Sequence, residues 1–453
     1  MANVFYSINP YNQQVFAEHP VTDVRGIGQA LEAATQGWLH WKNLPVSRRG
    51  LYLQALADEL EKAKEELALL MAKEMGKVLR EGRAEIDKCV TACRYFAEHA
   101  ELFLRDEPIS CEAQRALVCY EPLGIILGIM PWNFPFWQVL RAAAPALMAG
   151  NVFLLKHAPN VCACSKRLEQ LFQQADFPEG VFQALIIDVD QVPQIIAHPL
   201  VRGVTLTGSE RAGAAVASLA GVHIKKTVLE LGGSDPFLVL DDAPLEEAAQ
   251  VALQSRLQNA GQSCIAAKRL LVAESIYKPF VDLLLEGLKQ FRQGNPLEEG
   301  VALGPMARLD LAEKLEQQQN RSVQMGAQVL AGGQRHGCNY APTLLASVHT
   351  DQPAFQEELF GPVAVVIPVR DDAQAVALAN QSRYGLGATI WTRNRQRAEQ
   401  LARRLECGGV FVNTLMRSDV RFPFGGMKSS GYGRELGRHG MLEFTNIKTI
   451  YIN

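Results

Sequence analysis

Cys264 stands at the end of a short polar run, which reads QNAGQSC over 258–264. A structural cysteine usually lies within an apolar run and behaves as a small hydrophobic residue. A reactive cysteine needs polar, partly open surroundings that favour the thiolate, because the thiolate is the nucleophile. The asparagine, glycine, glutamine and serine that precede Cys264 provide such surroundings. The run therefore predicts a thiol that takes part in covalent chemistry.

Two further residues could act together with such a thiol. Glu230 follows a Val-Leu run and precedes two glycines, so its carboxylate is expected at the mouth of a sheet, where the glycines let a ligand come close. Asn133 lies between two prolines in PWNFP (131–135), and its side-chain amide could stabilise a tetrahedral oxyanion. Thiol, carboxylate and amide form a set for covalent catalysis. Taken singly, Glu230 also fits a surface glutamate before a turn, and Asn133 an ordinary turn residue.

The sequence Thr207-Gly208-Ser209 lies between a predicted strand and a predicted helix. A helix that begins here would present free N–H groups and the positive end of its dipole to a phosphate. The turn lacks the G-x-G-x-x-G pattern of a dinucleotide site. An ordinary strand-to-helix turn with serine as the cap explains it equally well.

The elements that must position these residues follow an alternating pattern. From residue 124 onward, short apolar runs alternate with helical patterns, which is typical of βαβ units and parallel sheets that bind ligands at the carboxyl ends of their strands. The first series predicts strands at 124–130, 152–155, 181–187, 201–206 and 227–231. The second series predicts strands at 236–240, 269–272, 363–369, 387–391 and 408–412. The sequence therefore predicts an α/β protein with two domains.

Other parts of the chain do not alternate in this way. Leucines recur at helical spacing through 25–105, which predicts helices that serve as scaffold. The segments 110–121 and 443–453 alternate like strands but belong to neither series. They could pair at a sheet edge with each other or with a partner chain.

Composition excludes several classes of protein. The 453 residues suggest more than one domain, and 48% hydrophobic with 21% charged residues is an ordinary globular balance. The net charge of −3 comes from 45 basic and 48 acidic residues that are well mixed, so neither a nucleic-acid surface nor a polybasic membrane anchor is expected.

The nine cysteines and the N-terminus indicate the compartment. No cysteine spacing forms a paired zinc framework, so no metal site is expected. The N-terminus lacks a basic stretch followed by an apolar core, and the longest apolar runs are too short to span a bilayer. These features predict a protein of a reducing compartment, the cytoplasm, with no membrane partner.

Six motifs now stand in a fixed order, and through them the chain resembles the aldehyde dehydrogenase superfamily over nearly its whole length. They are PWNFP (131–135), TLTGS (205–209), LELGG (229–233), NAGQSC (259–264), EELFGP (357–362) and PFGGMKSSGYGRE (423–435). The resemblance implies that Cys264 adds to an aldehyde, while Asn133 and the Cys264 backbone N–H hold the oxyanion. Hydride transfer to a nicotinamide then leaves a thioester, and Glu230 activates the water that hydrolyses it.

The resemblance also implies NAD or NADP as the cofactor, without a metal. Lys156 matches the lysine at the adenosine-side ribose, Ser209 after Gly208 the pyrophosphate contact, and Glu358 the residue at the nicotinamide-side ribose. The other residues expected beside the cofactor are Trp132, Leu231 and Phe360. NAD-preferring relatives often carry a glutamate three residues after this lysine, where this chain has Pro159. Without that carboxylate a 2′-phosphate meets no repulsion, so NADP should be tolerated, and the order of the two cofactors stays open.

The implied architecture has three parts. A Rossmann-like cofactor domain is expected at 1–107 and 123–232, and an α/β catalytic domain at 233–429. A small bridging sheet would use 108–122 and 438–453, which would make the protein a homodimer or homotetramer.

Arg141 indicates the substrate. It follows the apolar segment PFWQVL, where a charge is costly unless it is paired, and arginine can hold a carboxylate through two hydrogen bonds. The pattern is similar to the bacterial succinate-semialdehyde dehydrogenases, especially a short branch with KHAPN (156–160) and LECGGVFVN (405–413). An ω-carboxy aldehyde is therefore implied, with succinate semialdehyde first and glutarate semialdehyde second. The alternative for Arg141 is an ion pair that supports its helix.

Three more residues are expected in the substrate pocket, namely Ser418, Phe424 and Gln258. Many succinate-semialdehyde dehydrogenases have a second arginine where this chain has Gln258. The grip on a carboxylate is then weaker, or Arg256 reaches in from two residues away.

Three other functions remain to be compared with this one. A relative that passes the thioester to coenzyme A would not need Glu230 as a water-activating base. A non-catalytic member could have lost Cys264, Glu230 and Asn133, yet all three are present. A cysteine hydrolase would need a histidine beside the thiol, and none of the nine histidines lies in a comparable motif.

Overall fold

The computed structural model describes residues 4–453, and its strands follow the chain in this order. They are β1 (Val4–Ile8), β2 (Val15–Pro20), β3 (Glu107–Pro108), β4 (Arg115–Pro122), β5 (Ile125–Met130), β6 (Val152–His157), β7 (Phe182–Leu185), β8 (Val201–Thr207), β9 (Lys226–Glu230), β10 (Asp235–Val239), β11 (Ala267–Ala273), β12 (Gln328–Ala331), β13 (Arg335–His336), β14 (Asn339–Tyr340), β15 (Thr343–Ala346), β16 (Val363–Val369), β17 (Gly387–Trp391), β18 (Gly409–Val412), β19 (Gly431–Tyr432) and β20 (Thr445–Ile452).

The α-helices alternate with the strands after residue 124. Before that residue, four helices lie between β2 and β3. They are α1 (Val24–Trp41), α2 (Val46–Lys62), α3 (Lys64–Met75), α4 (Leu79–Leu104), α5 (Trp137–Met148), α6 (Cys162–Gln174), α7 (Val192–Ala197), α8 (Glu210–Val222), α9 (Leu245–Leu257), α10 (Tyr277–Leu288), α11 (Leu309–Gln324), α12 (Pro353–Gln356), α13 (Asp372–Asn380), α14 (Arg395–Ala402) and α15 (Gly437–Leu442). None of the helices in residues 4–453 combines the length and the apolar character needed to cross a bilayer.

The first sheet has six strands in the order β19-β9-β8-β5-β6-β7. The strands from β9 to β7 are parallel, and the short β19 lies antiparallel to β9. The five predicted strands of the first series are all present, which confirms the α/β prediction. Their carboxyl ends lie at one edge, so the residues that follow β5, β6, β8 and β9 meet there.

The second sheet has seven strands in the order β12-β15-β16-β11-β10-β17-β18. All neighbours are parallel except β12 and β15. β10 shows why such strands are continuous apolar runs in the sequence. Phe237 and Val239 belong to one hydrophobic cluster, whereas Leu238, and Leu240 just after the strand, belong to another. Side chains alternate across a strand, so a sheet covered on both faces needs apolar residues at every position.

The two orphan segments form a separate three-stranded sheet in the order β20-β4-β3. β20 runs antiparallel to β4, from Thr445 opposite Pro122 to Ile452 opposite Arg115. The predicted pairing of these segments with each other is thus confirmed, although the segment 438–453 begins within α15 rather than with a strand. β20 has one neighbour only and leaves apolar side chains such as Ile447 exposed.

The predicted helical stretch 25–105 is present as α1 to α4, and the hairpin β1–β2, which was not predicted, precedes it. Helix α4 is the longest and packs against α2, α3 and α5. Its amino-terminal half reaches the carboxyl edge of the first sheet, where it contributes side chains to the cavity described below.

Candidate active site

The loop that carries Cys264 has an unusual backbone. After α9 it makes a single turn in which Asn259 and Ala260 adopt positive φ angles of 54° and 52°. Such angles are strained for residues other than glycine and persist only where the surroundings impose them. Gly261 also has a positive φ, and a Cβ there would lie 2.3 Å from the carbonyl oxygen of Gly361. The polar run that predicts the reactive thiol is therefore a tightly constrained support for it.

The side chain of Lys268 holds the loop through three hydrogen bonds. The sequence did not predict a role for this residue. Its ammonium donates to the carbonyl oxygens of Cys264 at 2.8 Å, Ser263 at 3.0 Å and Ala266 at 3.3 Å. These bonds turn the peptide carbonyls of the loop toward Lys268. Among the described residues the Cys264 backbone N–H donates to no protein acceptor, so it is available for an oxyanion.

The state of the Cys264 thiol follows from its surroundings. Burial raises its pKa to about 12, while Arg141 and Lys268 oppose that shift. A thiol with this pKa is protonated at neutral pH. Its activation thus requires a group that removes the proton as the sulfur attacks.

Asn133 lies beside the Cys264 loop, as predicted for a set that acts together. Its side-chain amide donates to the backbone carbonyl of Gln262 at 3.0 Å, which uses one of its two N–H groups. The Asn133 backbone carbonyl in turn accepts from Asn259 at 2.7 Å and from Lys77 at 2.9 Å. Two of these hydrogen bonds, those with Gln262 and Asn259, join the turn 131–135 to the cysteine loop, and the third holds the turn to Lys77.

Glu230 ends β9 and is buried, but the structure does not place it in the wall of the cavity that holds Cys264. Neither of its carboxylate oxygens has a hydrogen-bond partner among residues 4–453. A Cβ at Gly425 would come within 2.6 Å of one of them, so the side chain lies against that glycine. Burial and the neighbouring Glu435 raise the pKa of Glu230. Both causes favour the protonated form of this carboxyl group.

Arg141 has two sets of neighbours. Its guanidinium forms a buried ion pair with Glu435 and donates to the Thr207 hydroxyl at 3.3 Å. It also stacks over the Phe424 ring, 4.6 Å from the centroid, and faces the cavity. The ion pair is the alternative that the sequence offered for Arg141, while contact with a substrate carboxylate stays a prediction that the position in the cavity wall permits. Removing Arg141 alone would leave Glu435 buried and unpaired, which costs about 3–5 kcal/mol.

A cavity of about 570 Å³ brings the predicted substrate residues together with the thiol. Arg141, Ser418, Phe424 and Gln258 all line it, as does Cys264. Within the described chain no histidine lines this cavity, so the thiol has no imidazole base of the kind a cysteine hydrolase uses.

Two other cationic side chains, Arg256 and Lys88, lie near the cavity, but only Lys88 lines it. Arg256 does not line the cavity, because its guanidinium donates to the backbone carbonyls of Gly261 and Leu359. The alternative that Arg256 replaces the second arginine, which this chain lacks at Gln258, is therefore wrong. Lys88 on α4 does line the cavity and bonds to Ser418. Sequence reasoning missed Lys88 because its helix was interpreted as scaffold.

The residues expected beside a dinucleotide lie along the carboxyl edge of the first sheet. Trp132 follows β5, and its ring meets that of Phe360 edge to face with centroids 5.8 Å apart. Glu358 accepts from the Gly233 N–H at 2.9 Å, and a Cβ at Gly232 would lie 2.7 Å from the Glu358 carboxylate. Leu231 lies before these glycines, against Gly213 of α8.

The opposite half of this edge suits a phosphate-bearing group. Ser209 caps α8 by accepting from the Ala212 N–H at 3.3 Å, and a Cβ at Gly208 would meet only the Leu206 side chain, at 3.6 Å. Lys156 at the end of β6 is buried but forms no ion pair within residues 4–453, and burial lowers its pKa. Pro159 begins a short turn of 3₁₀-helix three residues later. A buried lysine without a counter-ion fits an anionic or hydroxyl-rich ligand, so these residues fit a nicotinamide dinucleotide.

Comparison with known proteins gives consistent matches over the full described chain. The aldehyde dehydrogenase family model matches residues 2–450. A probable succinate-semialdehyde dehydrogenase (NADP+) of Synechocystis sp. is 46% identical over 98% of this chain and 99% of its own length. The succinate semialdehyde dehydrogenase (NAD(P)+) Sad of Escherichia coli is 45% identical over 98% of this chain and 97% of its own. The crystal structure of succinic semialdehyde dehydrogenase from Streptococcus pyogenes with NADP+ is 36% identical, covers 99% of both chains and superimposes with a TM-score of 0.97.

Proposed function

We propose that this chain, which belongs to the aldehyde dehydrogenase family, oxidises succinate semialdehyde to succinate with a nicotinamide dinucleotide as the hydride acceptor. The match of the family model to residues 2–450 confirms the resemblance predicted from six motifs. The observation that carries the substrate class is the position of Arg141 in the wall of the same cavity as Cys264. A cation at one side of a cavity and a nucleophile at another suit a short aldehyde with a carboxylate at its far end.

In the first step the S–H bond of Cys264 breaks and its proton passes to water, the sulfur bonds to the aldehyde carbon, and the electrons of the carbonyl double bond move to the oxygen. The second N–H of the Asn133 amide and the Cys264 backbone N–H stabilise that oxyanion, because neither is fully used by the protein. A nicotinamide dinucleotide held by Lys156, Ser209 and Glu358 would supply the acceptor for the hydride that the tetrahedral carbon loses. The carbon is then a thioester on Cys264.

Glu230 acts in the second step, by removing a proton from the water that attacks the thioester. The C–S bond breaks, the carboxylic acid product forms, and Cys264 recovers its thiol. Because Glu230 lies against Gly425 and outside the wall of the cavity that holds Cys264, its side chain must rotate toward the thioester before it can act as a base. Rotation would also separate it from Glu435, whose proximity raises its pKa.

Retention of this glutamate favours hydrolysis over transfer of the acyl group to coenzyme A. Presence of the thiol and of both oxyanion donors disfavours a purely structural role. Glutarate semialdehyde, one methylene longer, is the second candidate substrate for the same cavity, since one methylene changes binding by only about 1 kcal/mol.

Initial rates of NAD(P)H formation test this function. We expect a much higher kcat/KM for succinate semialdehyde than for butanal, which has the same number of carbons and no carboxylate. A rate that depends on added coenzyme A would indicate the acylating relative instead. Equal rates with butanal would contradict the carboxylate preference but leave the dehydrogenase in place.

For the cofactor we propose that NADP is used at least as well as NAD. Lys156 offers a cation without a protein counter-ion, and Pro159 replaces a carboxylate that would repel a 2′-phosphate. Exchange of Pro159→Glu should therefore raise KM for NADP while KM for NAD falls or stays constant. Pro159→Ala is the matched control, because it removes the ring without adding charge. A parallel change in both KM values would contradict the electrostatic reason.

Assembly and compartment follow from two further features. β20 is an edge strand with exposed apolar residues such as Ile447 and Ile452, and a second copy of the chain could cover it in a homodimer or homotetramer. All nine cysteines are free, which suits a reducing compartment such as the cytoplasm. Light scattering of the purified protein measures the assembly.

A further inference from the structure

We propose that Lys88 of helix α4 is a second cationic residue for the substrate carboxylate, acting beside Arg141. This inference rests on the proposed function and adds to it the residue that supplies the charge missing at Gln258. Lys88, Ser418 and Arg141 all line the cavity that holds Cys264.

Lys88 is held in the cavity wall by two contacts. Its ammonium donates to the Ser418 hydroxyl oxygen at 2.6 Å and lies 4.2 Å from the centre of the Trp137 ring. It forms no ion pair with an acidic residue anywhere in the described part of the chain. A largely buried cation without a counter-ion is costly, and an anionic ligand would offset that cost.

Ser418 extends this arrangement toward a ligand. Its oxygen accepts from Lys88 and, at 3.2 Å, from the Trp137 indole N–H. A hydroxyl has two acceptor positions and one proton. With both acceptor positions filled, the remaining proton can only be donated. Lys88, Ser418 and the guanidinium of Arg141 therefore present donors only, and a carboxylate is a group that only accepts.

The three acidic residues that line the cavity, Glu81, Glu85 and Asp419, are already engaged, and Glu81 accepts from the Asn259 backbone N–H at 2.9 Å. Glu85 pairs with Lys77 and accepts from the Phe136 and Trp137 backbone N–H groups. Asp419 pairs with Arg421. None of these carboxylates is left to neutralise Lys88, so the position is open to a carboxylate from the substrate.

The ionisation of Lys88 agrees with such a role. Burial and the nearby charge of Arg141 lower its pKa to about 8, while Glu85, Cys89 and Cys264 shift it weakly in the other direction. The amine is still mainly protonated at neutral pH. A carboxylate placed between Lys88 and Arg141 would favour the charged form of both.

Lys88 is also a cleaner probe than Arg141, since it supports no buried acidic partner. The experiment compares Lys88→Met with the unaltered enzyme on succinate semialdehyde and on its methyl ester, which keeps the chain but has no charge. Loss of one charged contact should lower kcat/KM for succinate semialdehyde by about 10- to 150-fold, mainly through KM, and leave the ester unchanged. Arg94→Met is the matched control, because it removes an exposed cation from the same helix outside the cavity.

The outcomes separate this inference from the function on which it rests. If the unaltered enzyme does not distinguish the acid from the ester, carboxylate recognition fails, and the role of Lys88 fails with it. If the unaltered enzyme prefers the acid and Lys88→Met keeps that preference, or loses both substrates equally, only the role of Lys88 is wrong. Lys88→Gln retains a donor for Ser418 without charge and serves as the second variant, with the same selective loss expected.

Discussion

Replacement of Cys264 by alanine is expected to abolish aldehyde-dependent NAD(P)H formation, with a loss on the order of 10⁴-fold or more, since removal of a nucleophile leaves only binding and the oxyanion donors. Alanine keeps the loop backbone, whose strain at Asn259 and Ala260 does not depend on the sulfur. The Lys268 contacts go to carbonyl oxygens and also survive the change. The loss therefore reports the chemistry of the thiol and not a collapse of the loop.

Cys407→Ala is the matched control for that variant. Cys407 is half-buried and burial raises the pKa of its thiol to about 12, as for Cys264, but it lies outside the cavity that Arg141 lines. Its removal should leave turnover unchanged. Mass spectrometry of the unaltered enzyme, quenched during turnover, should find the acyl group on the peptide that contains Cys264. Appreciable turnover by Cys264→Ala, or an acyl group on another peptide, would contradict the assignment of Cys264 as the nucleophile.

Replacement of Glu230 by glutamine should slow hydrolysis of the thioester more than its formation. Loss of a general base typically costs about 10²- to 10⁴-fold in the step it serves. We expect a rapid burst of NAD(P)H equal to the number of active sites, followed by a slow steady state. Glutamine has nearly the same shape and removes the repulsion with Glu435, so the free energy of unfolding should not fall.

Rapid-mixing absorbance at 340 nm measures the burst, and hydroxylamine provides a second readout. Hydroxylamine attacks a thioester without help from a base, so it should speed the steady state of Glu230→Gln far more than that of the parent. Glu247→Gln changes an exposed carboxylate of α9 and is the control. A variant with the burst and steady-state rates of its parent would show that another group activates the water.

The sequence predicts most strands of the two sheets, because those strands are largely buried on both faces and are therefore apolar along their length. The pairing of 110–121 with 443–453 is also visible, as two strand-like segments without another place in the fold. The hairpin β1–β2 and the edge strand β12 are not, because they are short and partly exposed and so lack a strong apolar pattern. β19 has two residues, which no periodicity can reveal.

Some residues of the site could likewise be predicted from the sequence, and others could not. Cys264 and Asn133 stand in local motifs, so their types and neighbours suffice to predict their roles. The pair Arg141–Glu435 joins residues that are far apart in the chain, and only the fold shows that they meet. Lys88 lies within the stretch 25–105, which the helical pattern predicts as scaffold, and it lines a cavity completed by the distant Ser418. Contacts of this kind depend on tertiary structure and leave no mark in a single sequence.

The last residues of the chain complete structures that its first third begins. β20 pairs with β4, β19 closes the edge of the first sheet at β9, and the buried Asn151 side chain donates to the carbonyl of Phe444 at 3.0 Å. During synthesis the amino-terminal part emerges first and begins to fold, while unpaired strand edges favour aggregation. A nascent chain that lacks only its final strand already holds every residue of the chemistry. Strand β4 nevertheless has no partner on the side that β20 covers, so this edge stays open to aggregation until β20 emerges.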